Sequence, residues 1–169
     1  MPNDTLLELL HLKALPRAGW VRAGVAEPES VASHAWGVAW LVLLWCPPEV
    51  DRDRAMAMAI VHDLGEVRVG DITPHDGVAA ADKSAAEEAA VRGLLAPLQR
   101  PDLVDIWLEY EAGETACARF VKACDKLDMA LQAIRYGTLQ GLELQEFIDS
   151  ARRQATEHGF GALFEELVG

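Results

Sequence analysis

The chain has 169 residues, enough for one domain with a sizeable hydrophobic core. Hydrophobic residues make up 51%, Ala and Leu are abundant and β-branched runs are scarce, a balance that favours an all-α fold. A formal net charge of −12 argues against a general nucleic-acid binder, which needs Lys and Arg clustered against the phosphate backbone.

In chain order, Asn3 or Asp4 is placed to cap a first helix carrying Leu6, Leu7, Leu9, Leu10 and Leu12. Residues 15 to 29 hold Pro16, Gly19, Gly24 and Pro28 and read as an irregular connection. Ser30 caps a second helix to about Trp45, stopped by Pro47-Pro48; its Trp36 and Trp40, at i and i+4, read as core packing. A third helix, from about Asp51 to Gly65, is almost uniformly apolar after Arg54 and is expected to be buried on most sides. A loop follows through Gly70, Pro74 and Gly77, then a fourth helix from about Asp82 to Leu95. Pro97 and Pro101 precede a short helix through Trp107 to Glu111. Thr115 caps a long helix reaching Tyr136, and a last amphipathic helix runs from about Leu142 to His158. No repeat or long linker divides the chain, so residues 1–169 read as one domain of about six to seven helices. Phe160 to Val168 is apolar and suits either an interface or the protein's own core. Glu109, Glu111 and Glu114 read as exposed, with Glu109 a candidate for contact with a partner subunit.

Cys46, Cys117 and Cys124 are odd in number and form no CxxC pair, which suits reduced thiols. The first residues lack the basic stretch of a secretory signal, and the longest apolar run, Val38 to Cys46, is too short for a bilayer. The expectation is a soluble cytoplasmic protein.

His62 and Asp63 are adjacent in Ala-Ile-Val-His-Asp-Leu-Gly-Glu, with His34 upstream and Asp125 downstream. Neighbouring side chains on a helix diverge by about 100°, so His and Asp side by side seldom meet through packing alone, whereas a cation on the helix flank reaches both. Each lies in an apolar stretch where an unpaired charge is costly. Two imidazoles and two carboxylates suit a divalent first-row ion, and such an ion leaves positions for water and a substrate oxygen. Asp128 competes with Asp125 as the fourth ligand. Glu66 shares the helix face of His62 and Asp63, and Asp71 follows just past Gly70. Either carboxylate suits proton transfer, orientation of a water, or a second cation. In so acidic a chain a phosphate pocket must recruit cations, and Arg17 and Lys122 are the better candidates. His75 reads as a solvated loop residue; His11 and His158 read as surface residues at helix ends.

The order His34, His62-Asp63, Asp125 resembles the HD-domain phosphohydrolases, most closely the branch of 5′-deoxynucleotidases and HD domain-containing protein 2. The resembling stretches are Pro-Arg-Ala-Gly-Trp (16–20), Pro-Glu-Ser-Val-Ala-Ser-His-Ala-Trp (28–36), His-Asp-Leu-Gly-Glu with Val-Gly-Asp-Ile (62–72), Trp-Leu-Glu-Tyr-Glu (107–111) and Phe-Val-Lys-Ala-Cys-Asp-Lys-Leu-Asp (120–128). The resemblance is strongest over residues 6–137, leaving 138–169 as C-terminal helices. It implies an all-helical HD fold and hydrolysis of deoxynucleoside 5′-monophosphates with a divalent ion such as Co, Mn, Fe, Ni or Mg. His34, His62, Asp63 and Asp125 match the family's metal ligands, and Glu66 and Asp71 its acidic catalytic positions. Glu66, Asp71 and Ile72 match a second-ion site proposed for some members. Trp20 falls where the family packs a tryptophan near the sugar, and Arg17 lies close to its phosphate-contacting arginine, although here Gly19 directly precedes the tryptophan. Ser33 stands in place of a usual Asp and Gly37 in place of a frequent Arg. Relatives resemble homodimers. Two alternatives stay open: a non-catalytic nucleotide-binding HD module, and a phosphatase for another small phosphorylated metabolite. Dinuclear HD phosphodiesterases and HD oxygenases need more histidines between the HD pair and the last Asp than His75 alone.

Overall fold

In the computed structural model, which describes residues 2–169, the chain runs through α1 (Pro2–Leu9), α2 (Ala18–Arg22), α3 (Val31–Trp45), α4 (Arg52–Val61), α5 (Glu66–Val69), α6 (Ala80–Leu95), α7 (Pro101–Ala112), α8 (Ala116–Gln140), α9 (Gln145–Glu157) and α10 (Gly161–Val168). The fold is all-α, as composition led one to expect. Six of the helices have ten or more residues and account for the expected number; α1, α2, α5 and α10 are shorter.

The strongest helix starts lie where short polar side chains can bond the backbone. Ser30, Asp51 and Thr115 accept from the N–H groups of Ser33, Arg54 and Ala118. The first helix differs: it already begins at Pro2, where a missing N–H removes only a donor the helix end would leave unpaired, so Asn3 and Asp4 lie inside it. The connection 15–29 is also more ordered than expected. Arg17 N–H donates to the Glu29 carbonyl and Val31 N–H to that of Leu15, tying the two ends of the connection together. Between them, α2 buries Trp20 in a satellite core with Val25, Ala133, Tyr136, Leu144 and Phe147.

α8 packs against α3, α4, α7, α9 and α10. Its face of Phe120, Val121, Ala123, Cys124, Leu127 and Ala130 is completely buried. Val38, Val42, Met58, Leu94 and Trp107 meet it in the main core. α10 sets Phe164 into that core, so the apolar C-terminal segment covers the chain's own interior. Two expectations are corrected. Trp36 and Trp40 are not core residues: they are 69% and 48% exposed and stack on each other, ring centroids 6.3 Å apart. α3 is apolar all round, and only the side carrying Val31, His34, Val38 and Val42 turns inward. Glu109 is not free on the surface either; Arg54 Nε and Thr115 Oγ1 both donate to its carboxylate.

Candidate metal and active site

The third helix stops at Val61, four residues earlier than its apolar pattern suggests. Residues 62–65 form a tight turn, with Leu64 N–H on the Val61 carbonyl and Glu66 N–H on that of Asp63. The Trp107 indole N–H donates to the His62 carbonyl at 3.0 Å and holds the turn from α7. On this turn the adjacent side chains converge: His62 Nε2 lies 3.1 Å from Asp63 Oδ2. His34 reaches the same point from α3, its Nε2 3.8 Å from Asp63 Oδ2 and 3.2 Å from Asp125 Oδ1 on α8.

The two imidazoles are oriented from behind. His62 Nδ1 lies 2.8 Å from the Ala59 carbonyl, which only accepts, so Nδ1 carries the proton and Nε2 presents a lone pair to the pocket. His34 Nδ1 pairs with Asp128 Oδ2 at 2.7 Å, which likewise leaves Nε2 facing in. The two α8 aspartates lie on opposite sides of His34: Asp125 faces its inner nitrogen, and Asp128 the outer one, where ligand atoms of Glu29, His34 and Asp128 also lie within 4.8 Å of one another. Gly37 makes room for this, because a Cβ there would collide with the Asp128 carboxylate.

His34 Nε2, His62 Nε2, Asp63 Oδ2 and Glu66 Oε2 are buried without a hydrogen-bond partner. Orphaned groups of this kind are costly. Ligand atoms of His34, His62 and Asp63 all lie within 4.8 Å of one another, and imidazole nitrogen with carboxylate oxygen suits a divalent transition ion. The residues thus fit a metal. Asp125 stands beside that trio through His34; Glu66 and Asp71 lie outside it.

Burial alone would raise the Asp63 carboxyl, but His62, Arg17 and His34 outweigh it and hold Asp63 well below the usual range. Asp125 is depressed as well, by Lys126 and the two imidazoles acting against burial. For His34, burial and the Arg17 charge oppose protonation, while bonding to Asp125 and Asp128 carries its pKa up to about 9 in the metal-free pocket. Glu66 is the reverse case: burial, then the Asp63 and Asp71 charges, push its carboxyl up to about 10 against Arg17 and Lys83.

While His34 is fully buried, His62, Asp63, Glu66 and Asp125 line a cleft of about 570 Å³. Arg17 leans into it, Nη1 3.5 Å from Asp63 and 3.9 Å from Asp71. Gly70, at φ +79°, swings the chain out of α5 and brings Asp71 back to accept from Ala18 N–H at 2.7 Å. Ile72 and His75 line the same cleft. Lys122 also lines it, its ammonium 4.0 Å from the centre of the Tyr110 ring. Trp20 lines the wall but is only 2% exposed, its indole N–H on Glu29 and its ring against Phe147 and Tyr136.

Sequence reasoning missed Tyr110, whose hydroxyl donates to Asp125 Oδ2 at 3.0 Å. A signal existed: Trp107 and Tyr110, three apart on an apolar helix, each carry a donor that needs a partner once buried. Lys83 and Glu87, which also line the cleft, were missed too.

The comparisons agree in kind. The family model described as HD domain matches residues 9–163. The human 5′-deoxynucleotidase HDDC2 is 37% identical over 172 residues, covering 96% of this chain and 84% of its own. A conserved hypothetical protein from Pyrococcus furiosus superposes with a TM-score of 0.82 at 31% identity, covering 97% of each chain. The structure of a predicted metal-dependent phosphohydrolase from Magnetospirillum magnetotacticum gives 0.73 at 29% identity, covering 98% of this chain and 90% of its own.

Proposed function

From the premise that this chain belongs to the HD domain family and is a hydrolase, we propose that it removes phosphate from deoxynucleoside 5′-monophosphates. The observation that carries this reading is the set of four orphaned polar atoms, three of them on residues lining a cleft with room for far more than a phosphate. Relatives named 5′-deoxynucleotidase supply the substrate class.

His34, His62, Asp63 and Asp125 would hold the ion, which we take to be one of Co, Mn, Fe, Ni or Mg. When bound, such a cation acidifies a water and polarises a phosphoryl oxygen. The remaining work belongs to the chain. Arg17 draws the phosphate dianion toward the carboxylate cluster, and Lys122 supports it from α8. Glu66 Oε2, buried and without another partner, holds and moves the proton that the leaving 5′-oxygen needs. Asp71 positions Arg17 and α2 through its bond to Ala18, and Trp20 forms the wall beside the sugar. Glu66, Asp71 and Ile72 are the groups that would hold a second ion. Catalysis gives the buried, unpartnered Glu66 a purpose that a nucleotide-binding module would not.

We read residues 1–169 as one HD domain, and as a homodimer through the outward α3 face of Trp36, Trp40, Leu43 and Leu44, all exposed. A cytoplasmic setting is supported by three free thiols and by the absence, among the described residues, of a helix long and apolar enough to cross a membrane.

The test is phosphate release by the purified protein from dAMP, AMP and sugar phosphates with each of the five metals. Release from dAMP above the other two is expected. Nucleotide binding without release would favour the binding module, and a sugar phosphate as best substrate would favour the metabolite phosphatase; either would overturn the reading. Asp63→Ala should remove metal and activity together, whereas Glu66→Ala should keep the metal and lose about a hundredfold or more in rate.

A further inference from the structure

The cleft holds cations besides Arg17 and Lys122: Arg22, Lys83, Lys126 and Arg153 line it too. Arg22 pairs with Glu146 at 3.6 Å, and Lys126 with Asp125 at 2.9 Å. Lys122 lies over the Tyr110 ring, and burial lowers its pKa despite Glu111 and Asp125. Lys83 pairs with Glu87 Oε1 at 3.5 Å, a separation like that of Arg22 and Glu146, and its side chain keeps 35% of its surface exposed. Burial pushes the Glu87 carboxyl up, and the Lys83 charge draws it back down.

The placement of Lys83 follows from the motif's glycine. A Cβ on Gly65 would come within 3.0 Å of both the Cβ and the carbonyl oxygen of Glu87. Without that Cβ, α6 lies directly on the His62–Glu66 turn, and Lys83, one turn before Glu87, lines the cleft beside Glu66 and Asp71. Burial opposes the Lys83 charge, but Glu87, Glu66, Asp63 and Asp71 outweigh it and hold its pKa above the usual lysine value. Arg17 and Lys83, from separate elements, are the two cations whose charges most oppose the raised pKa of Glu66.

We propose that Lys83 is a substrate-binding residue that takes the phosphate group from the α6 wall of the cleft that Arg17 and Glu66 also line. The inference rests on the phosphomonoesterase reading only for the identity of the anion. A dianionic phosphate offers the ammonium contacts shorter than the 3.5 Å to Glu87, and binding requires only a swing of a half-buried side chain.

The experiment uses the metal-loaded full-length protein and its Lys83→Met and Lys83→Arg variants. Calorimetry reads the affinity for inorganic phosphate and for deoxyadenosine, and elemental analysis reads bound metal. In Lys83→Met, phosphate affinity is expected to fall about tenfold, with a matching rise in KM for dAMP. Deoxyadenosine affinity and metal content should stay at wild-type values, and Lys83→Arg should recover most of the loss. Unchanged phosphate affinity in Lys83→Met would overturn the proposal, and so would a parallel loss of deoxyadenosine or metal. Wild-type protein that binds phosphate but cleaves no nucleotide would defeat the nucleotidase reading alone, leaving Lys83 to be judged on phosphate affinity.

Discussion

Glu66 shows how a single carboxyl trades stability for chemistry. Its pKa stands at about 10 in the metal-free fold against an ordinary 4.5. Between those values the unfolded chain has released this proton while the folded chain keeps it, so the group costs stability increasingly as pH rises through that window. Glutamine cannot ionise and escapes the cost. Metal-free Glu66→Gln should therefore melt above wild type at pH 8, by roughly several degrees, and the gap should close as pH falls toward 4.5. Thermal melts across that range check it; a gap that widens at low pH would refute the assignment. Much at this scale was legible in the sequence, because His34, His62, Asp63 and Asp125 are polar groups in apolar stretches and each demands an explanation. Tyr110 and Lys83 were not legible, since an aromatic on an amphipathic helix and a lysine among alanines look ordinary until a tertiary contact gives them a partner.

Among elements, the close passage of α3 against α8 sets the orientation of His34. Gly37 allows it, Asp128 uses it, and the imidazole is turned inward as a result. Either Gly37→Ala or Asp128→Ala should lower metal affinity by about ten- to a hundredfold with helical circular dichroism intact. Metal titration decides, and unchanged affinity in both variants would show that the contact does not matter. Helix starts at Ser30, Asp51 and Thr115 could be read from sequence because a cap is a local bond. The turn at 62–65 could not, since it depends on an indole 45 residues away. α2 escaped notice for a similar reason: Trp20 is ordered by residues of α8 and α9, far along the chain.

For the molecule as a whole, the apolar surplus of α3 has to be accommodated. Trp36, Trp40, Leu43 and Leu44 form an outward face on a chain of net charge −12. Exposed apolar patches of this sort commonly mark association. Trp36→Glu with Trp40→Glu should convert the proposed homodimer to a monomer in light scattering, while the wild type runs at twice the chain mass. A monomeric wild type would end that reading. Sequence pattern placed these tryptophans inside because a uniformly apolar helix gives no hint of which side is covered.

The bond between the Trp107 indole and the His62 carbonyl also has a practical use. Trp107 and Trp20 are sealed from water within the chain, whereas Trp36, Trp40 and Trp45 lie on its surface, so a chain not paired through α3 should emit a blue component and a red one. Only the blue component includes a chromophore one residue from the cation seat, and quenching there by cobalt or nickel would report occupancy without any added dye.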